Sequence, residues 1–393
     1  MKKLNRIGAV IPRYGSNIGG GAETLIRSIL LELRSVVPQI EVFATTASDH
    51  RTWNNDLEAG QSLEDGIIVR RFPVDDRNLE VFIGAEQRLH RGEILSVKEQ
   101  LDWISNSVNS SSMYATLLRE ASDFDLLLYA PYLFGTSFFG PLLYPDNAVL
   151  VPCLHDEVYA YQPIFRSIFR KVKGVMWNAK PEAVLAESIY ELPELAKKGR
   201  VVGMGFTSII IEEKLPSPHP RPYLLYSGRK ETGKNLHYLF ECYSAYRSET
   251  SEPVDLLLIG SGEIDFVSEL PEGVFDLGFV KEEEKAAIFS NALLFVQPSI
   301  NESFSIVLME AWLYGAPALV HGDCAVTSYH AETSGGGLTF RTIHDFKLAV
   351  DKISSSIDLQ AEMAKKGADY VKSEYAWSAV RDRFLEAANY WIS

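Results

Sequence analysis

The sequence predicts an α/β protein built from two Rossmann-like domains, each a doubly wound parallel sheet, facing a central cleft. Two observations carry that expectation. Apolar bursts of strand length, without polar and apolar alternation, recur between segments of helix length, which is the pattern of strands buried on both faces. A stretch with Pro216, Pro218, Pro220 and Pro222 at alternate positions then divides those bursts into two sets, because prolines fix φ and remove backbone donors. The length of 393 residues agrees, since roughly 100 to 200 residues make one domain.

In the first set, "RIGAVI", "IEVFAT", "GIIVRRF", "DLLLYA", "AVLVPC" and "AVLAES" read as strands. The N-terminal "MKKLNRIGAVIP" is the first of them, because its apolar run stops at Pro12 and Arg13 and lacks the cleavage site of a signal peptide. A polar segment from about 75 to 122 is helical in pattern and reads as an insertion. In the second set, "YLLYSG", "VDLLLIG", "ALLFVQP" and "PALVH" are strands. The last segment spaces Val380, Phe384, Ala387 and Ala388 on one helical face. The expected limits are a first domain over 1–204, a linker over 205–222 and a second domain over 223–375. A final helix over 376–393 is expected to cross back to the first domain.

The net charge is −14. Residues 1–200 hold 22 Lys and Arg against 25 Asp and Glu, or −3, and the remainder 16 against 27, or −11. That balance argues against nucleic acid as a partner, which needs clustered cations. No apolar stretch approaches the roughly 20 residues of a membrane span. The three cysteines, Cys153, Cys242 and Cys324, have no metal-ligand spacing and read as buried thiols of a reducing, cytoplasmic compartment.

Three motifs could carry chemistry. "IPRYGSNIGGGAETLIRSILLEL" runs from a strand through Gly19, Gly20 and Gly21 into an amphipathic helix, and such glycines let backbone N–H groups approach an anion. The spacing is neither GxGxxG nor a Walker sequence, so dehydrogenase and P-loop readings lose ground. "LLYSGRKETGKNLHYLF" places Arg229, Lys230 and Lys234 beside glycines at a strand end, which suits a diphosphate but also describes an ordinary surface loop. "NESFSIVLMEAW" sets Glu302 in a turn after a strand and Glu310 within an apolar helix, where ionisation costs several kcal/mol unless the group is paired. The pair could be a glycosidase's carboxylates, a structural Glu bridged to a buried cation or amide, or two acceptors for ribose and sugar hydroxyls.

Glu302, seven residues and Glu310, between "FVQPS" and "YGAP", resemble the E-x7-E motif of the retaining glycosyltransferases of family 4, which have the GT-B fold. "GGAE" at Gly20, "SGR" at Ser227, "GKN" at Gly233, "IGSGE" at Ile259, "LGFV" at Leu277 and "YAWSAV" near 375 resemble that family's other signposts, in its order. The resemblance implies a metal-independent, cofactor-free transfer of a hexose from a nucleotide-sugar donor, UDP-glucose first and GDP-mannose second. The acceptor would be a hydroxyl of a saccharide or lipid-linked sugar in polysaccharide or glycolipid synthesis. It also implies the site. Arg229 and Lys234 neutralise the diphosphate with Gly20, Gly21 and the amides of Ile306 and Val307. Glu310 accepts from the ribose, while Glu302, Ser303 and Phe304 hold the sugar. The base lies by Phe279 and Val280, and His155, in "VPCLHDEVYAYQPIF", faces the donor sugar beside the acceptor and assists catalysis, with Glu302 as the other catalytic residue. The family commonly has glycine on each side of the phenylalanine, where this chain has Ser303 and Ser305; serine could cap the helix.

"QPIFRSIFRKVKGVMW" mixes Phe165, Ile168, Phe169 and Val172 with Arg166, Arg170, Lys171 and Lys173, so peripheral contact with an anionic membrane is an expectation beside that of a solvated helix face. The rival functions are a nucleotide-sugar epimerase of the same fold and a catalytically silent partner subunit.

Overall fold

The computed structural model describes residues 4–207 and 215–393. The chain forms two compact units, one of Met1–Gly205 with Trp377–Ser393 and the other of Phe206–Ala376. Part of the expected linker, residues 208–214, lies outside the described residues.

The first unit holds β1 (Arg6–Val10), β2 (Gln39–Thr45), β3 (Gly60–Glu64), β4 (Ile67–Phe72), β5 (Leu126–Tyr129), β6 (Ala148–Leu150), β7 (Gly174–Trp177) and β8 (Gly199–Val201). They form one sheet in the order β3-β4-β2-β1-β5-β6-β7-β8. Every pairing is parallel except β3 with β4. That hairpin turns at Asp65 and Gly66, both with positive φ, the dipeptide favoured where both turn residues need it. Chain order reverses between β1 and β5, so the loops after these strands open at the switch point where α/β sheets bind ligands.

Two sequence expectations change here. "AVLAES", read as a strand, lies inside the helix Lys180–Tyr190. Its alanines and glutamates favour a helix, Pro181 sits in the first turn where a missing N–H costs nothing, and short apolar runs do not declare their period. The segment for which membrane contact stood beside a solvated helix face forms the helix Phe165–Lys171. Its Phe165, Ile168 and Phe169 are fully buried, with Val172 beside them in the core against Trp177 and Tyr190. Arg166, Arg170, Lys171 and Lys173 face solvent together with Ser167, so the helix has no apolar face to offer a bilayer. No helix among the described residues is long and apolar enough to cross a membrane.

The C-terminal helix Trp377–Ile392 buries Val380, Phe384, Ala387, Ala388 and Trp391. Trp391 Nε1 donates to Lys198 O at 2.8 Å, Arg383 Nε to Val202 O at 3.1 Å, and Arg381 to Glu32 at 3.0 Å. These partners all belong to the first unit, which the helix therefore completes.

The second unit holds β9 (Tyr223–Ser227), β10 (Asp255–Ile259), β11 (Val274–Asp276), β12 (Leu294–Gln297), β13 (Ala318–His321) and β14 (Gly337–Phe340). The sheet is wholly parallel, in the order β11-β10-β9-β12-β13-β14. Its four central strands, β9, β10, β12 and β13, are almost entirely buried, which accounts for their largely apolar sequences. The reversal of order falls between β9 and β12, and the loops that follow these two strands carry the motifs singled out above.

Candidate functional site

The loops at the carboxyl ends of β9, β10 and β11 are tied together by backbone hydrogen bonds. Gly228 N donates to Ile259 O at 3.1 Å, Lys230 N to Ser261 O at 2.8 Å and Gly260 N to Gly278 O at 2.8 Å. A Cβ on Gly260, which has φ of 124°, would lie 2.0 Å from Gly228 O, so the two loops meet only because that residue has no side chain. The stitching fixes the segment from Arg229 to Lys234, in which the three cations take different roles. Lys230 is buried and its ammonium lies 2.5 Å from Asp276. It serves the fold. Arg229 is exposed, with Glu231 at 3.1 Å, and is free to turn toward an anion. Lys234 lies between, its Nζ donating to Glu302 Oε1 at 2.8 Å.

The loop after β12 supplies the other wall. Asn235, left-handed at φ 57°, donates to Pro298 O at 3.0 Å and holds the β9 and β12 loops side by side. Gln297, at the end of β12, is 3% exposed and donates to Glu302 Oε1 at 3.0 Å. Phe304 is buried against Phe206, His330 and Tyr375, with ring centroids 6.1, 5.4 and 5.1 Å away. Burial holds the His330 pKa down near 3, so this aromatic box stays uncharged at neutral pH. It anchors the loop that carries Glu302 and Ser303.

The helix Ile306–Leu313 follows, and its first N–H groups, including those of Ile306 and Val307, have no carbonyl of a preceding turn to bond. Ser305 occupies the N-cap position, yet its side chain caps nothing. Its hydroxyl donates to Gln297 Oε1 at 2.7 Å instead, which corrects the expectation of a serine cap: at φ 71° and ψ 82° the residue departs from the extended backbone that aims a side chain at the N2 and N3 amides. Glu310, the fifth of the eight helical residues, faces Lys285 Nζ at 3.5 Å, and Lys285 is shared with Glu282 at 2.9 Å. Burial pushes the Glu310 pKa up, and Lys285 opposes the shift. Its side chain keeps 22% of its exposure, so the carboxylate has both the cation of a structural pair and an open side. Phe279 is 81% exposed, beside exposed Leu277, on the loop after β11.

The remaining predicted residues lie in the first unit. Gly20 and Gly21 open the helix Gly21–Leu33 in the loop after β1. Gly20 has φ of 151°, and a Cβ there would lie 2.0 Å from Glu23 Oε2. That carboxylate is held by the buried guanidinium of Arg13, which also donates to Gly19 O at 3.3 Å and Ser48 O at 3.1 Å. His155 is half-buried on the loop after β6, with Nδ1 4.0 Å from Glu157, and Glu157 accepts from Tyr132 at 2.8 Å. The neighbouring residue, Leu154, donates its N–H to Glu182 Oε1 at 2.7 Å, and Asn178 N donates to Oε2 of the same buried carboxyl at 2.5 Å. Glu182 therefore sets the path of the His155 loop.

Burial pushes the Glu182 pKa up to about 8, against the pull of its backbone N–H donors. A carboxyl raised in the folded state contributes stability that is fully present below the ordinary carboxylate range and is lost as pH rises through about 8. The melting temperature of wild type is thus expected to fall relative to that of Glu182→Gln from about pH 5 to about pH 9. Thermal denaturation across that range checks it.

Sequence reasoning missed Arg13, Gln297, Glu182 and Lys285. Each is a polar side chain whose role is to hold another residue of the site, and nothing in its neighbours along the chain announces the partner.

Residues 208–370, most of the second unit, match the family model Glycosyl transferases group 1. Over these residues the second unit is similar to that family's domain. Among curated relatives of the chain, the lipopolysaccharide core biosynthesis glycosyltransferase LpsE of Rhizobium meliloti (strain 1021) is 21% identical over 57% of this chain and 66% of its own length. Glycosyltransferase 1 domain-containing protein 1 of Xenopus tropicalis is 24% identical over 43% of this chain and 50% of its own. The chain thus spans about half of one relative and just under two thirds of the other. Solved structures are similar over nearly the whole chain. Sucrose-phosphate synthase from Thermosynechococcus elongatus superposes with a TM-score of 0.68 at 14% identity, covering 97% of both chains. Anabaena HepE in complex with UDP-glucose gives 0.62 at 16%, covering 97% of this chain and 98% of its own. These likenesses establish the fold as that of the GT-B glycosyltransferases. In the second unit, Glu302 and Glu310 stand on either side of a helix N-terminus, and Lys234 and Gln297 meet on Glu302.

Proposed function

We propose that this protein is a retaining, metal-independent glycosyltransferase that moves a hexose from a nucleotide-sugar donor, UDP-glucose first and GDP-mannose second, to a hydroxyl of a saccharide or lipid-linked acceptor. The observation that carries the reading is the meeting of Lys234 and Glu302 at 2.8 Å at the switch point of the second sheet, beside the amides of Ile306 and Val307. An ammonium, a guanidinium and helix-terminal N–H groups supply positive potential where charge grows on a departing diphosphate. In this reading Arg229 and Lys234 take the phosphates and Glu302, with Ser303 and the loop anchored by Phe304, takes the sugar hydroxyls. Glu310 takes the ribose, and the base lies against Phe279 and Val280. Gly20, Gly21 and His155 of the first unit keep the roles that the resemblance implies for them. Because the protein supplies these charges itself, the transfer has no step that requires a divalent cation.

A thermal-shift panel of nucleotide sugars tests the proposal. One donor is expected to raise the melting temperature, since a ligand that binds the native state stabilises it, and Glu302→Ala is expected to abolish the shift. Transfer to an acceptor should then proceed in EDTA. Stabilisation by none of the panel would sink the reading. Free nucleotide released without glycosidic product would favour the epimerase, and binding without turnover a silent subunit.

A further inference from the structure

We infer that Gln297 and Ser305 are positioning residues that hold Glu302 for the donor sugar; the inference rests on the function just proposed and adds a determinant of sugar binding to it. Ser305 has φ of 71°, a left-handed backbone that suits glycine and strains any other residue. A serine is nevertheless present, and it is 5% exposed, so its hydroxyl answers to the protein rather than to water. That hydroxyl donates to Gln297 Oε1 at 2.7 Å, and Gln297 Nε2 donates to Glu302 Oε1 at 3.0 Å.

The chemistry of the three groups sets the direction of the relay. A carboxylate only accepts, so the amide must turn its NH2 toward Glu302; its oxygen then faces inward and needs a donor, which Ser305 provides. Without the hydroxyl, a buried amide oxygen is left unsatisfied and the side chain can rotate away from Glu302. Lys234 and Gln297 converge on Oε1 of Glu302, which leaves Oε2 to accept from a ligand hydroxyl. When the Lys234 ammonium turns to a diphosphate, Gln297 is the donor that stays. The serine beside Phe304 is therefore a device for orienting the carboxylate, and its backbone strain accompanies that role.

Strain and function make opposite predictions for Ser305→Gly, which separates a positioning role from a structural one. The affinities of UDP and UDP-glucose, and of GDP and GDP-mannose, are measured by calorimetry for wild type, Ser305→Gly and Gln297→Leu, with melting temperatures alongside. Ser305→Gly is expected to melt at or above the wild-type temperature and to bind the free nucleotide unchanged. It should bind the nucleotide sugar about tenfold more weakly, the effect of one lost buried hydrogen bond. Gln297→Leu should show the same selective loss. Equal affinity of Ser305→Gly and wild type for the nucleotide sugar, or an equal loss for nucleotide and nucleotide sugar, overturns the inference while leaving the proposed function intact. A wild-type protein that binds neither member of either pair overturns both.

Discussion

Lys234→Ala is expected to lower turnover by about 10²- to 10³-fold, the usual effect of removing one donor that faces developing charge. The side chain is mostly buried, with 22% of its area exposed and Glu302 as its partner at 2.8 Å. Losing it removes some packing and the cation beside Glu302, so the melting temperature should fall by a few degrees. The substitution also leaves Glu302 with Gln297 alone, and part of the loss should appear as weaker donor binding. Lys234→Arg keeps the charge and should recover part of the turnover. Steady-state assay of nucleotide release, with the donor chosen by the thermal-shift panel, checks both variants. Turnover in Lys234→Ala within a few-fold of wild type would remove the lysine from the site.

Trp312→Ala is expected to have the largest effect on stability, about 3 to 5 kcal/mol by analogy with other large aromatic deletions from cores. The side chain is fully buried and its indole donates to Gly336 O at 2.9 Å. Tyr370 packs edge-on against it at 6.0 Å, and Gly367 and Gly336 leave the space that the ring fills. The helix that carries Trp312 also carries Glu310 and begins at the amides of Ile306 and Val307. Loosening it should therefore weaken nucleotide binding as well. Trp312→Phe retains most of the volume and removes one of two donors to Gly336 O, Ala318 N still donating at 3.1 Å, so it should fall between wild type and Trp312→Ala. Denaturant unfolding gives the order, and a Trp312→Ala cost below about 1 kcal/mol would show the ring to be replaceable.

Much of this architecture is legible along the chain. Buried parallel strands need apolar residues on both faces, so β1, β2, β5, β9, β10, β12 and β13 announce themselves as unbroken runs. The spacing of Glu302 and Glu310 and the cations of "SGRKETGKN" are local as well, since one loop and one helix hold each set. Sequence did not separate Lys230 from its neighbours, because only the position of Asp276 on β11 shows that this lysine points inward. It also misplaced "AVLAES", where composition alone decides between a short strand and part of a helix, and it left Phe165, Ile168 and Phe169 open to a membrane that the core of the first unit replaces.

What the sequence determined by itself is the class of fold and the list of groups able to handle a charged sugar donor, because burial periodicity and residue chemistry are properties of the chain. What the tertiary structure decided is how those groups are held. Lys234 and Gln297 reach Glu302 across 68 and 5 residues, Lys285 meets Glu310 from the preceding helix, and Ser305 turns from a helix cap into the far end of a relay. Such pairings arise where strands distant in sequence become neighbours at a switch point, and their hydrogen bonds depend on distances that no linear spacing encodes.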